Sequence, residues 1–115
     1  MVVRQWQIYT LNLNPALGSE QAGTRPCVVV SANYVNHLNQ VVILPITSIK
    51  NPDTTIFPNE VFLPQSVSGL SKDSIILAHQ IRTIDKQRLK TYVGSIKEAN
   101  FIDKIKQAMM FHLDL

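Results

Sequence analysis

The apolar residues of this 115-residue chain fall into short runs, and the length of these runs limits the folds that are open to it. Most runs have the length of a strand and are rich in β-branched residues, and residues that favour turns separate them. They predict strands over residues 6–13, 27–30, 41–46, 60–63, 74–81 and 90–96. The tail differs, because its apolar residues recur every three or four positions and predict one amphipathic helix over 98–113.

This pattern of short strands indicates a small, strongly curved antiparallel barrel, formed by a single domain over residues 1–115. The pattern does not separate SH3-like, OB-like and Greek-key barrels from one another. Thr83 or Asp85 can cap a single helical turn that runs through Arg88. The predicted fold is therefore mainly β, with helical additions.

Composition restricts the chemistry of the chain. With 45% apolar residues it can bury a core without disulfides or a metal, and its one cysteine, Cys27, is predicted to pack as a small hydrophobic side chain. His37, His79 and His112 are far apart and share no metal-binding spacing, so we expect no metal and no cofactor. No secretory signal or membrane span is visible, and we therefore expect a cytoplasmic protein.

The net charge of +3 is unevenly distributed, because eight of the eleven basic residues lie after residue 71. A basic region of this kind is compatible with an anionic partner such as nucleic acid. So small an excess is also common on ordinary solvated surfaces. Charge alone therefore permits nucleic-acid binding without indicating it.

A polar segment of nine residues, Gly18–Pro26, precedes the second predicted strand. Its glycines permit tight or left-handed backbone conformations. Pro26 biases Arg25 towards an extended conformation and suits the first position of a strand. We therefore predict a polar loop that holds Arg25 at the entrance of a buried strand.

Three segments resemble the MazF/PemK family of toxin endoribonucleases, in the order and at the spacing of that family. They are G-S-E-Q-x-G-x-R-P at residues 18–26, P-I-T-S at 45–48, and D-S-I-I-L-A-H-Q-I-R-T-I-D-K-Q-R-L at 73–89. Together they cover nearly the whole chain. The resemblance implies an SH3-like small barrel of the CcdB/PemK type that forms a homodimer and binds RNA in a groove across the dimer interface.

The resemblance also implies a function, namely the toxin of a type II toxin–antitoxin system that cleaves single-stranded mRNA at selected sequences and arrests growth. Without a metal, the 2′-hydroxyl attacks the neighbouring phosphate and leaves a 2′,3′-cyclic phosphate and a 5′-hydroxyl. This reaction needs a base, a cation for the crowded phosphate and an acid for the leaving oxygen. The implied partners are mRNA and a cognate antitoxin with an acidic, partly disordered segment.

Arg25 and Thr47 match the catalytic positions of the family. The planar guanidinium of Arg25 can hold two phosphate oxygens, so we assign it charge stabilisation first and proton transfer second. The hydroxyl of Thr47 can orient a phosphate oxygen, and Ser48 is the neighbouring alternative. A structural arginine and a turn-capping threonine are the competing interpretations.

His79 and Trp6 depart from the family pattern. The family usually carries an acid where this chain has His79, and an imidazole keeps a titratable group there, so we hypothesise that His79 takes the acid/base role. Trp6 and Gln7 stand where a glycine and an acid are usual. The indole of Trp6 can cover the groove, stack on a base or pack in the dimer interface.

Other residues of the three segments are candidates for contacts to RNA. Glu20 and Gln21 have side chains that pair with base edges. The further candidates, which include those already named for other roles, are Ser19, Ser48, Gln80, Arg82 and Trp6.

Two other functions stay open at this point. CcdB toxins share the barrel, bind DNA gyrase and cleave nothing, so the fold alone does not define the activity. A barrel that binds RNA or peptide without catalysis is compatible with the departures at Trp6 and His79. The pairing of Arg25 with Thr47 favours the nuclease.

Overall fold

A computed structural model describes residues 1–115 and contains seven strands and two α-helices. The strands are β1 (Gln7–Asn12), β2 (Thr24–Val29), β3 (Gln40–Ser48), β4 (Glu60–Leu63), β5 (Ser74–Leu77), β6 (Arg82–Asp85) and β7 (Leu89–Ser95). The helices are α1 (Gln65–Ser68) and α2 (Ala99–Leu113), and 3-10 turns occupy Ala78–Gln80 and Lys86–Arg88. No helix is long and apolar enough to cross a membrane.

All strand pairs are antiparallel, and β3 is the central strand of the sheet. The order of hydrogen-bonded strands is β4-β5-β3-β2-β1-β7, and β6 also pairs with β3. One side of β3 carries β2, whereas the other side carries β6 and β5 in succession. Strand β3 therefore connects all parts of the sheet.

Apolar side chains are buried on both faces of the sheet. Ile8 of β1 and Val61 of the edge strand β4 meet in one cluster, which also contains Ile105 and Ala108 of α2. Because strands from distant parts of the sheet meet there, the sheet is curled around this cluster. The second cluster covers the other face and includes Leu11, Ile43 and Ile84.

Strand β2 contributes to both clusters, as its continuous apolar run predicts. Val28 packs in the first cluster, whereas Cys27 and Val29 pack in the second. The predicted burial of Cys27 is confirmed. Burial raises the pKa of its thiol to about 12, so the thiol stays protonated and does not act as a nucleophile near neutral pH.

The predicted strand over 74–81 is confirmed only as far as Leu77, because β5 ends there and the 3-10 turn Ala78–Gln80 follows. Pro45 of the neighbouring β3 gives the physical reason. The N–H of Val30 donates to the carbonyl of Val42, so Val42 directs its backbone polar groups towards β2. Because backbone direction alternates along a strand, the backbone nitrogen of Pro45 faces β5 and β6. Proline has no N–H to donate, so strand pairing on this side is interrupted at Pro45.

Other boundaries also differ from the prediction. Strand β2 begins at Thr24, so Arg25 and Pro26 lie inside it. Strand β3 continues to Ser48, β6 was not predicted, and α1 was predicted as a loop. The cap at Asp85 is confirmed, since its carboxylate accepts the N–H of Gln87 at 2.8 Å.

Helix α2 forms over nearly the predicted range. It begins at Ala99, and Ile105 and Ala108 are its buried residues. The predicted apolar face extends to His112 and Leu113, but both residues are exposed. The last turn of α2 therefore projects beyond the core.

Trp6 precedes β1 in a left-handed conformation, with φ of 73°. Its N–H donates to the carbonyl of Val29 at 2.7 Å, and its own carbonyl accepts the N–H of Ile96 at 2.9 Å. The indole is partly buried against the first cluster. A positive φ is unfavourable for a bulky residue, whereas glycine adopts it without steric cost.

We therefore expect Trp6→Gly to be more stable than Trp6→Ala, against the usual order for an extended segment. Both variants lose the packing of the indole, but only alanine keeps the cost of a positive φ. The difference should be about 0.5–1 kcal/mol in the free energy of unfolding. Urea denaturation of the two variants measures it, and an alanine variant as stable as the glycine variant would contradict the backbone explanation.

Candidate active site

A groove of about 530 Å³ lies between the loop that joins β1 to β2 and the turn that joins β5 to β6. We call residues 13–23 the groove loop and Ala78–Gln80 the His79 turn. The floor contains Pro45 of β3. The residues lining the groove are Leu13, Pro15, Ser19, Glu20, Gln21, Pro45, His79, Gln80, Ile81 and Arg82.

The side chain of Gln80 connects the His79 turn to the groove loop by two hydrogen bonds. Its side-chain carbonyl accepts the N–H of Gln21 at 3.3 Å, and its amide nitrogen donates to the carbonyl of Ser19 at 3.4 Å. Both bonds are long, so this fastening is weak. The predicted RNA-binding residue Gln80 lies in the groove, but its amide is directed to the loop backbone.

Two arginines near the groove hold backbone carbonyls. Arg82 Nη1 donates to the carbonyl of Leu13 at 2.8 Å. Arg88 Nη2 donates to the carbonyls of Asn12 and Asn14. These side chains fix the start of the groove loop, so part of their donor capacity is already used.

Arg25 is different, because its terminal nitrogens have no partner in the protein. Only its Nε donates, to the carbonyl of Ala22 at 3.1 Å, and this bond directs the side chain along the end of the groove loop. The two terminal nitrogens form the fork that binds two oxygens of a phosphate. Arg25 therefore has the free donors that a phosphate site needs.

The β2–β3 ladder ends close to Arg25 and Thr47. Its last pair is Cys27 with Pro45, and Arg25 and Thr47 each lie two residues beyond that pair on their own strands. Both side chains then project from the same face of the sheet. Pro26 lies between them and the last pair of the ladder, and its missing N–H accounts for the end of the pairing.

The same alternation separates Thr47 from Ser48. Thr47 is on the face of Ile43, whereas Ser48 is on the face of Ile46, which belongs to the first cluster. The Thr47 hydroxyl forms no hydrogen bond within the protein. Alternation along the strands therefore puts Thr47 on the same face of the sheet as Arg25, and Ser48 on the opposite face.

His79 lines the groove from its own turn. The Nδ1 atom of its ring is buried and has no hydrogen-bond partner. The ring of His112, from the last turn of α2, lies in an edge-to-face arrangement with a centroid separation of 6.3 Å. His79 is thus a titratable group in the groove whose proton is not committed to a neighbour.

Four of the predicted site residues, Arg25, Thr47, Ser48 and Trp6, do not line the groove. Ser19, Glu20 and Gln21 line the groove, and Glu20 also accepts the N–H of Leu17 at 2.6 Å. Trp6 does not line it, because its indole packs against the first cluster.

Sequence reasoning missed the role of proline at the site. Pro15 and Pro45 line the groove, and Pro45 lies beside the turn that carries His79. The signal was present, since a proline inside an apolar run marks a place where strand pairing stops. No group of three or more His, Cys, Asp or Glu residues is arranged to hold a metal ion.

A family model described as the PemK-like, MazF-like toxin of type II toxin–antitoxin systems matches residues 4–113. Endoribonuclease EndoA of Bacillus subtilis (strain 168) is 32% identical over 115 residues, which are 100% of this chain and 97% of that protein. The chain therefore belongs to the family of PemK-like, MazF-like toxins of type II toxin–antitoxin systems, and the resemblance predicted from its three segments is confirmed.

Solved structures support the fold. An endoribonuclease from a mycobacterial species, in complex with its cognate antitoxin, is 25% identical with a TM-score of 0.76, over 98% of this chain and 96% of that one. MazF from Deinococcus radiodurans is 24% identical with a TM-score of 0.81, over 100% of this chain and 99% of that one. The mainly β fold of this family, with a C-terminal helix, is confirmed.

Removing the amide of Gln80 should loosen the groove loop. In Gln80→Ala, we expect the Gln21 amide proton to exchange with solvent about two- to tenfold faster, because one net hydrogen bond is worth about 0.5–1.5 kcal/mol. Hydrogen exchange followed by NMR measures this rate. Gln107→Ala on α2 is the matched control, and an unchanged rate in Gln80→Ala would show that the loop does not depend on this side chain.

Proposed function

We propose that this protein is the toxin of a type II toxin–antitoxin system and acts as a metal-independent endoribonuclease. Its substrate is single-stranded mRNA, which it cleaves at selected sequences to 2′,3′-cyclic phosphate and 5′-hydroxyl ends. Loss of intact mRNA stops translation and growth. The family to which the chain belongs and the endoribonuclease name of its Bacillus subtilis relative support this proposal.

The observation that carries the proposal is the state of Arg25. It is held by one bond from Nε, while its terminal nitrogens form no hydrogen bond within the protein. A purely structural arginine would direct those nitrogens to carbonyls, as Arg82 and Arg88 do. Arg25 is therefore poised to bind an oxyanion.

Three side chains are proposed to carry out the reaction. Arg25 holds the non-bridging oxygens of the scissile phosphate and stabilises the charge that builds up when the 2′-hydroxyl attacks. Thr47 donates its hydroxyl to the same phosphate and fixes its orientation. His79 is the acid/base group, since an imidazole exchanges protons near neutral pH. As the 2′-oxygen bonds to phosphorus, its proton passes to His79. The P–O5′ bond then breaks, and the leaving 5′-oxygen takes up a proton from water.

The groove loop supplies the contacts to bases. The side chains of Ser19 and Gln21 form no hydrogen bonds within the protein, so they are free to pair with base edges. Glu20 keeps one carboxylate oxygen for a base amino group, because the other accepts the N–H of Leu17. Gln80 and Arg82 contribute mainly by holding this loop in place.

We further propose that the protein acts in the cytoplasm as a homodimer and is silenced by a cognate antitoxin. A related mycobacterial endoribonuclease has been solved with its own antitoxin, which supports the same arrangement here. An acidic, partly disordered segment would complement the basic chain, whose net charge is +3.

Cleavage of a long synthetic RNA in excess EDTA tests the activity and its independence of metals. We expect discrete cuts that carry cyclic phosphate, and a rate about 10²–10³-fold lower in Arg25→Ala, because such a donor to developing charge has that effect. Arg25→Lys should fall between the two, since lysine keeps the charge and loses the fork. Mapping the cut ends identifies the chemistry and the recognised sequence.

Arg4→Ala is the matched control for the loss of one positive charge, because Arg4 is exposed and does not line the groove. It should cleave at the wild-type rate. A folded wild-type protein that cuts no RNA in this assay would contradict the proposal and favour a gyrase-binding or non-catalytic barrel.

His79 has a separate test. We expect His79→Ala and His79→Gln to reduce the cleavage rate about 10²-fold or more and to change the dependence of the rate on pH, because both remove a proton-transfer group. His37→Ala, on the exposed connection between β2 and β3, is the control. An unaltered rate and pH profile in both His79 variants would exclude an acid/base role for this residue.

A further inference from the structure

The orientation of the His79 ring is not explained by hydrogen bonds. A functional imidazole is usually oriented by donating one ring N–H to a carbonyl or carboxylate, which also selects its tautomer. The buried Nδ1 of His79 has no such partner. Since the ring lies at the groove wall and not in the core, some other contact has to hold it.

Several charged or titratable groups lie on the elements around the His79 turn. Glu20 and Arg82 line the same groove. Glu60 begins the neighbouring strand β4, and His112 and Asp114 are on the last turn and C-cap of α2. Among these groups, only His112 makes a described contact with the His79 ring.

The contact between the two rings has a favourable geometry. The ring planes are inclined at 61° with a centroid separation of 6.3 Å. This is an edge-to-face arrangement within the range in which aromatic rings attract each other, roughly 4.5–7 Å. His112 is otherwise exposed on the projecting end of α2, so this contact does not arise from core packing.

Helix α2 is well placed to support such a contact. Ile105 and Ala108 anchor it in the first cluster, two turns and one turn before His112, respectively. The C-cap residue Asp114 donates its N–H back to the carbonyls of Met110 and Phe111, which closes the last turn. The end of the helix is therefore an ordered element and not a frayed terminus.

We infer that His112 is a positioning residue for His79. The His112 ring packs edge-to-face against the His79 imidazole and holds its orientation. This contact connects the end of α2 to the groove. This inference rests on the acid/base role given to His79 under the proposed function. The requirement is for an aromatic ring at position 112, and not for its charge.

Two variants of His112 distinguish a need for an aromatic ring at this position from a need for an imidazole. His112→Ala removes the ring that contacts His79, whereas His112→Phe keeps an aromatic ring of similar shape. We expect kcat for RNA cleavage to fall about tenfold in the alanine variant with little change in KM, because a misplaced catalytic group slows the reacting step. The phenylalanine variant should restore kcat to within about threefold of wild type. Leu113→Ala, on the same exposed turn, should behave as wild type.

Nitrogen-15 NMR of the imidazoles gives a readout that does not depend on activity. In the wild type, the His79 nitrogens should show one dominant tautomer at a pH where the ring is neutral. The alanine variant should show a mixture of tautomers, and the phenylalanine variant should resemble the wild type. A purely structural role for His112 would lower stability without changing this pattern.

The outcomes distinguish this inference from the proposed function. Unchanged His79 nitrogen shifts in His112→Ala would overturn the positioning role, whatever the rate. The positioning role would also be overturned if His112→Ala changed the His79 nitrogen shifts but cleaved RNA at the wild-type rate, while His79→Gln cleaved slowly. If His79→Gln itself cleaves normally while Arg25→Ala does not, the acid/base role of His79 fails, and the role of His112 fails with it.

Discussion

Backbone hydrogen bonding by β3 is the interaction on which the rest of this structure depends. The strand pairs with β2 along one side and with β6 and β5 along the other. Two prolines limit this pairing at neighbouring points. Pro26 ends the ladder between β2 and β3, and Pro45 faces the gap between β5 and β6. Since an unpaired backbone needs another partner or solvent, the sheet opens where these prolines lie.

The groove lies at the Pro45 side of this opening. The His79 turn follows β5 there, and Arg25 and Thr47 each lie two residues beyond the last pair of the β2–β3 ladder. The side chains proposed for catalysis thus stand on the ends of rigid strands and a tight turn. Apolar clusters on both faces of the sheet hold those strands, so the geometry of the site follows from the core.

Local periodicity was sufficient to predict most elements. The run at 27–30 predicts a strand buried on both faces, and the three- and four-residue spacing of the tail predicts α2. Prediction over residues 74–81 failed because the interruption originates in Pro45 of another strand. Similarly, the extension of β3 to Ser48 depends on pairing with β5. Such effects arise from long-range pairing, which local propensity does not contain.

The sequence indicated candidate site residues but not the hydrogen bonds that each of them makes. The resemblance named Arg25, Arg82 and Gln80 together, but their bonding differs. Arg82 and Gln80 are engaged with the groove loop, whereas Arg25 keeps its terminal nitrogens free. Which arginine can bind an anion is decided by the carbonyls within its reach, and these are known only once the loop has folded.

Three features of this chain conflict with ordinary local preferences. Their positions show which of them belong to the groove and which belongs to the core. Two of them, Pro45 within the paired strand β3 and the unpartnered Nδ1 of His79, are at the groove. The third, Trp6 at φ of 73°, is not, since its indole packs against the first cluster. Departures from local consistency are expected at functional sites, where other interactions compensate for them. The strain at Trp6 is compensated by the packing of its indole instead. The positive φ of Trp6 is therefore a feature of the core and not of the groove.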